Sequence, residues 1–239
     1  MNQDFRISYS RINTYLFCPY KYKLIYLDNV HIPLNADITF GHIIHKTLEQ
    51  FHSQQKKSYD KIIELYNNIW TNDGFIEPQQ IFEYYIRGKT ILKYYYKSFC
   101  RSTSKVLFVE KQFTSNIGKY KFVGIIDRID EYKNNIYEII DYKTHMNIWS
   151  QSKVDDDLQL SLYAYACKNV LNLNPKRIAI YFLSKNIKIY TSRTDNSIYK
   201  AVKLSLEIAE NVNTEHFVPN IKKCNFCGLQ SKCKYSKSK

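Results

Sequence analysis

Gly124-Ile-Ile-Asp-Arg-Ile-Asp130 and, a few residues on, Ile136-Tyr-Glu-Ile-Ile-Asp-Tyr-Lys143 are the stretches on which the reading of the fold turns. Both are rich in Ile, and turn-forming asparagines separate them, so they read as neighbouring strands. Alternation along the segment Asn135 to Lys143 puts Tyr137, Ile139, Asp141 and Lys143 on one face, with Glu138, Ile140 and Tyr142 on the other. A carboxylate and an ammonium therefore point the same way at a strand end, just before the break at Thr144 and His145. Asp127 interrupts a run otherwise apolar enough to be buried. Two carboxylates converging at adjacent strand ends make an oxygen-rich site suited to Mg²⁺ or Mn²⁺. On an exposed face Asp141 and Lys143 would form only a weak ion pair, so residues elsewhere must decide. Arg128 and Asp130 face away from Asp127 and suit an ion pair between neighbouring strands.

Working outward, further strands are expected at Val106 to Phe113, Tyr120 to Ile129, Arg177 to Leu183 and Lys188 to Thr191. A helix at Asp155 to Val170 lies between the third and fourth of the five strands, its leading aspartates suited to the positive end of the dipole. A last helix covers about Asp195 to Val212. The first hundred residues read as helical. Ser8 or Ser10 caps a helix that Pro19 stops after Phe17. Phe40, Ile43, Ile44, Thr47, Leu48 and Phe51 form one buried stripe at helical period. Two more helices occupy Tyr59 to Trp70 and Glu77 to Phe99. The expectation is an α/β fold, a mixed central sheet flanked by helices with a helical N-terminal part, in one continuous domain over residues 1–239.

The 239 residues, 44% of them apolar, suffice for one sizeable core. Thirty-five Lys and Arg against 22 Asp and Glu leave a net charge of +13, which attracts a polyanion and makes nucleic acid the first partner to consider. No segment has the apolar length of a membrane span, and Met1 to Ser10 lacks a signal-peptide core, so a soluble intracellular protein without a membrane partner is expected. The absence of a phosphate-cradling Walker A loop excludes a helicase motor; any ATP-driven unwinding must come from a partner.

Four motifs now fall in order: Gly41-His-Ile-Ile-His45 on the striped helix, Gly124-Ile-Ile-Asp127 on a strand, Asp141-Tyr-Lys143 on the next with Thr144 after it, and Gln159-Leu-Ser-Leu-Tyr163 on a helix. Each is weak alone, but the set is jointly specific. It resembles the RecB-type branch of the PD-(D/E)XK nucleases over nearly the whole chain. The resemblance implies a restriction-endonuclease-like fold, with His45, Asp127, Asp141 and the Tyr142 carbonyl as ligands of Mg²⁺ or Mn²⁺. It makes Lys143 the catalytic lysine, joined by Gln159 and Tyr163, which share a helix face at i and i+4. Glu110, in Val109-Glu-Lys111, is expected beside the metal in a supporting place rather than as a ligand. His42, one turn before His45, is a lesser candidate.

Cys224-Asn-Phe-Cys227 and Cys233 gather three thiols near the C-terminus, while Cys18 stands alone ahead of Pro19. Clustered thiolates suit zinc and iron–sulfur alike, so a tetrahedral Zn site completed by Cys18 or His216 stays open on ligand chemistry. The resemblance implies instead a [4Fe-4S] cluster on Cys18, Cys224, Cys227 and Cys233, as in the short CRISPR-associated nucleases and the AddB nuclease domain, clasping residue 18 to residues 224–233. Cys100 and Cys167 are expected to be buried packing. The basic tail residues Lys222, Lys223, Lys232, Lys234 and Lys237 can follow a phosphate backbone. The implied function is a metal-dependent deoxyribonuclease, an exonuclease or end-processing enzyme on single strands or DNA ends. Its setting would be repair, recombination or mobile-DNA processing, alone or with a helicase subunit. The alternative is a non-catalytic Fe–S protein that binds DNA or a helicase.

Overall fold

Ser8 starts the first helix by accepting the Arg11 amide hydrogen, so α1 runs Tyr9–Phe17. The structure, a computed structural model, describes residues 6–133 and 135–236; Lys237 of the basic tail lies outside them. A short strand β1 (Arg6–Ile7) precedes α1. Pro19 ends α1 but does not end helical structure. With its φ preset and no amide hydrogen to satisfy, it opens a further helix, α2 (Pro19–Tyr26), which the sequence pattern does not announce.

The striped segment forms α3 (Ala36–Ser53), capped by Asn35, with every predicted stripe residue buried. Helices α4 (Tyr59–Ile69) and α5 (Pro78–Arg101) follow at the expected places. Three long strands come next: β2 (Lys105–Ile117), β3 (Tyr120–Lys133) and β4 (Ile136–Lys143). The helix expected over Asp155 to Val170 forms from Leu158 to Asn169, and a short helix that was not expected precedes it. A short α6 (Gln151–Asp155) ends early, and Asp157 caps a new helix, α7 (Leu158–Asn169), by accepting the Leu160 amide hydrogen. A side chain that competes for backbone hydrogens marks a start better than an interior. Strands β5 (Pro175–Phe182) and β6 (Ile187–Thr191) and helix α8 (Asp195–Asn213) complete the order. The fold is thus α/β, a mixed sheet with flanking helices.

The chain divides into two compact units. The larger comprises Leu34–Gln112 and Ile125–Arg193. In it β3 and β4 run antiparallel, with Arg128 opposite Ile140, and β4 and β5 run parallel, with Asp141 opposite Ile180. The parallel pair needs a crossover, and α6 and α7 supply it. Phe40, Ile44, Leu48 and Phe51 of α3 pack with Ile62 and Tyr66 of α4, Leu92 and Tyr95 of α5, and Ile140, Tyr142 and Tyr181 of the sheet. Each such burial contributes about 1.5–3 kcal/mol, which fixes α3 against one face of β4. Arg128 and Asp130 are buried and paired with each other along β3, at 2.6 Å, instead of bridging two strands as expected. Two residues apart on one strand, they share a face, and it is the face opposite Asp127.

The smaller unit comprises the residues up to Pro33, Phe113–Gly124 and those from Thr194 onward. Here β1 pairs in parallel with the start of β3, Ile7 lying opposite Phe122. Tyr22 of α2 stacks on Phe217, and the Tyr15 hydroxyl donates to the His216 carbonyl. The tail folds as two tight turns of 3-10 helix at Ile221–Phe226 and Gln230–Lys232.

Candidate metal centre

Asp127 and Asp141 stand on β3 and β4 of the larger unit, 7% and 1% exposed, burial that carboxylates accept only with partners. Asp127 Oδ2 accepts the Tyr142 amide hydrogen at 2.7 Å, which orients the carboxylate and leaves Oδ1 facing α3. There His45 Nδ1 stands 3.7 Å from it, and 3.4 Å from Glu110 Oε1. One potential ligand atom each from His45, Glu110 and Asp127 lies within 4.8 Å of the others. The His45 ring meets the buried Tyr142 ring edge-on, so the strand that carries Asp141 also sets the tilt of the imidazole.

Glu110 is as near to this group as the other two. Its backbone φ is 44°, in the left-handed region, although it lies inside β2. That conformation costs a non-glycine residue on the order of 1–3 kcal/mol and collects at functional sites. It also breaks strict alternation, which is why counting along the strand could not aim this side chain.

Burial penalises the charged form of His45, but the carboxylates of Asp127 and Glu110 more than offset it and hold the imidazole up at about 9. Burial also pushes the Asp127 carboxyl up, to about 7; His45 opposes this shift, and the nearby Asp141 adds to it. These acids crowd one another, and a cation among them relieves the crowding. Asp141 Oδ2 lies 2.8 Å from Lys143 Nζ yet accepts no well-directed hydrogen bond. Buried carboxylate oxygen with acceptor capacity to spare, next to one imidazole, is a donor set that fits Mn²⁺ or Mg²⁺.

Lys143 turns toward α7, where its Nζ donates to Gln159 Oε1 at 3.1 Å, and Gln159 Nε2 donates to the Tyr163 hydroxyl at 2.8 Å. The last two motifs thus meet in one hydrogen-bonded row. Burial, reinforced by Asp141, raises the Tyr163 phenol well above its usual value and keeps it neutral. Arg193 fixes the start of α7, a role the sequence did not suggest. Its guanidinium donates to the Val154 and Asp157 carbonyls and to the Ser161 hydroxyl. The Tyr142 side chain points into the core, its hydroxyl 2.8 Å from that of Tyr95. His42 is exposed and lines, with His45, Lys46, Glu49 and Glu110, an open cleft along α3.

In the smaller unit Cys18, Cys224, Cys227 and Cys233 line one small recess of about 20 Å³. Cys18 lies between α1 and α2, and its sulfur accepts the Asn220 amide hydrogen at 3.3 Å. Among the described residues, no three of these sulfurs stand within 4.8 Å of one another. His216 is exposed. Cys167 is buried as expected, whereas Cys100 is exposed at the end of α5, contrary to the packing role read from its neighbours.

A family profile of the PD-(D/E)XK nuclease superfamily matches residues 6–234. The chain is 26% identical over 196 residues to an ATP-dependent helicase/deoxyribonuclease subunit from Carboxydothermus hydrogenoformans. That alignment covers 66% of the chain and 18% of the relative's length, so the chain spans only a small part of it. A crystal structure from Eubacterium rectale, of a protein whose given name proposes an exonuclease, superposes with a TM-score of 0.58 at 13% identity. The superposition covers 91% of this chain and 84% of the other, and it shows a shared fold.

Proposed function

Because the chain belongs to the PD-(D/E)XK nuclease superfamily, we propose that it is a Mg²⁺- or Mn²⁺-dependent deoxyribonuclease acting on single strands or DNA ends. The observation that carries this reading is the convergence of His45, Glu110 and Asp127 within ligand distance of one another, with Asp141 and Lys143 alongside. His45, Asp127, Asp141 and the Tyr142 carbonyl would hold the cation, and the position of Glu110 supports adding it to the set. When bound, a divalent cation would supply neutralisation of charge on the scissile phosphate and a lowered pKa for an attacking water. Lys143, held by Asp141 and Gln159, presents its ammonium to a phosphoryl oxygen as negative charge develops there. Gln159 keeps that ammonium in place, and Tyr163 fixes which way the Gln159 amide faces. The net charge of +13 supports a polyanionic substrate.

The four thiols around one recess support an iron–sulfur cluster in the smaller unit. A tetrahedral Zn site, with Zn–S about 2.3 Å, holds its sulfurs roughly 3.8 Å apart. The similarity to one subunit of a helicase/deoxyribonuclease supports a helicase as partner in DNA repair or recombination. The test is cleavage of end-labelled single- and double-stranded DNA with Mg²⁺ or Mn²⁺, before and after chelation. Metal-dependent shortening from an end is expected. DNA binding without turnover under every condition would instead favour a non-catalytic DNA-binding scaffold.

A further inference from the structure

The loop 144–150 leaves β4 directly after Lys143 and ends on Ser150, the cap of α6. It is pinned at several points. Arg87 Nη2 donates to the Thr144 carbonyl at 2.9 Å, and the Ser184 hydroxyl donates to the His145 carbonyl at 2.6 Å. The rings of His145 and Trp149 lie nearly parallel, centroids 5.8 Å apart, and both rest against Phe182. Between these anchors Met146 and Ile148 are 46% and 43% exposed. Two apolar side chains two residues apart on a tethered loop, directly after Lys143, offer apolar surface that a ligand at this end of the strand can cover. Cations meet the C-terminal part of the loop: Lys153 Nζ stands 4.0 Å, and Lys143 Nζ 5.9 Å, from the centre of the Trp149 ring. A ligand that covers the exposed apolar side chains of this loop and also meets its ammonium groups has a flat apolar face joined to an anion, which describes a nucleotide.

We propose that Met146 and Ile148 form a step onto which the base beside the scissile phosphate unstacks, while Lys153 takes a neighbouring phosphate. Apolar side chains of this kind insert between bases, and a base parts from its neighbour most readily in a single strand or at a frayed end. The inference rests on the nuclease reading and deepens it by assigning the residues that select an unpaired substrate. It is tested with the full chain, as wild type and as the double variant Met146→Ser with Ile148→Ser, whose exposed positions leave the melting temperature unchanged. Without metal, wild type is expected to alter the fluorescence of a single strand carrying 2-aminopurine. The double variant should bind that strand roughly tenfold more weakly and leave its emission unaltered. With Mg²⁺, wild type should cut a strand with abasic residues at the cleavage position roughly tenfold more slowly than a normal strand, and the variant should cut both alike. The same fluorescence response in the variant, or indifference of wild type to the missing bases, would overturn the step. If wild type cuts nothing, the nuclease reading fails, and the fluorescence comparison still decides whether these residues touch a base.

Discussion

His52 ends a buried hydrogen-bonded row that reaches Tyr142, next to the candidate metal ligands: its Nε2 meets the Tyr95 hydroxyl, which contacts the Tyr142 hydroxyl and accepts from Arg128 Nη1. Burial, and then the positive charge of Arg128 and Lys57, hold its pKa down at about 3. The unfolded chain takes up that proton near pH 6.5. Stability from the neutral imidazole is therefore full above pH 6.5 and is lost as pH falls from there toward about 3, because the unfolded state then binds the extra proton. The unfolding midpoint of wild type should drop between pH 7.5 and 5 more steeply than that of His52→Gln, which keeps a hydrogen-bonding group but cannot titrate. Equal slopes would show that His52 is not the titrating group. Arg193 works at the same scale. Arg193→Ala strips a charged hydrogen-bond partner from two carbonyls and a hydroxyl, and should destabilise the larger unit by about 1–3 kcal/mol in urea unfolding.

Among the elements, α5 depends on its closest approach to α4. A Cβ on Gly88 would fall 2.0 Å from the Tyr66 hydroxyl and 2.5 Å from the ring carbon that bears it. Gly88→Ala gains helix propensity of about 1 kcal/mol, but the overlap should outweigh it, giving a net loss of about 1–3 kcal/mol. Adding Tyr66→Phe, which removes the hydroxyl, should recover part of that loss in thermal unfolding. The elements also show how far the sequence could be read. Helix α3 was legible because its stripe answers to one buried face, and β3 and β4 because alternating Ile and Tyr flank the acids. Helix α2 was missed because Pro19 stops one helix and starts the next. The break before α7 was missed because Asp157 looks like one more acid in a first turn, while it acts as a cap. Two-residue β1 is too short to leave a pattern. At the site, the motifs named His45, Asp127, Lys143 and Gln159, while the approach of His45 to Asp127 and of Lys143 to Gln159 is seen only in the structure. The approach of Glu110 depends on a positive φ that no composition announces, and the grip of Arg193 on α7 depends on contacts distant in sequence.

For the whole molecule, the surplus of positive charge predicts that DNA affinity falls log-linearly as salt rises, a slope measurable by fluorescence anisotropy. Among the described residues no helix is long and apolar enough to cross a membrane. The cysteine recess joins residue 18 to residues 224–233 across nearly the full sequence, so a group bound there contributes to folding of the smaller unit. Protein purified without oxygen should be brown and carry about four iron per chain, and Cys227→Ser should lose both colour and thermal stability. Colourless protein with one tightly held zinc would contradict the cluster. The central claim is that His45, Glu110, Asp127, Asp141 and Lys143 form one metal-dependent hydrolytic centre. Its most direct test is single-turnover cleavage of end-labelled DNA by wild type and Lys143→Ala at matched Mg²⁺. We expect wild-type cleavage to vanish on chelation, and the variant to be slower by roughly a hundredfold or more at an unchanged melting temperature. Cleavage that survives chelation, or equal rates for the two proteins, would contradict the account.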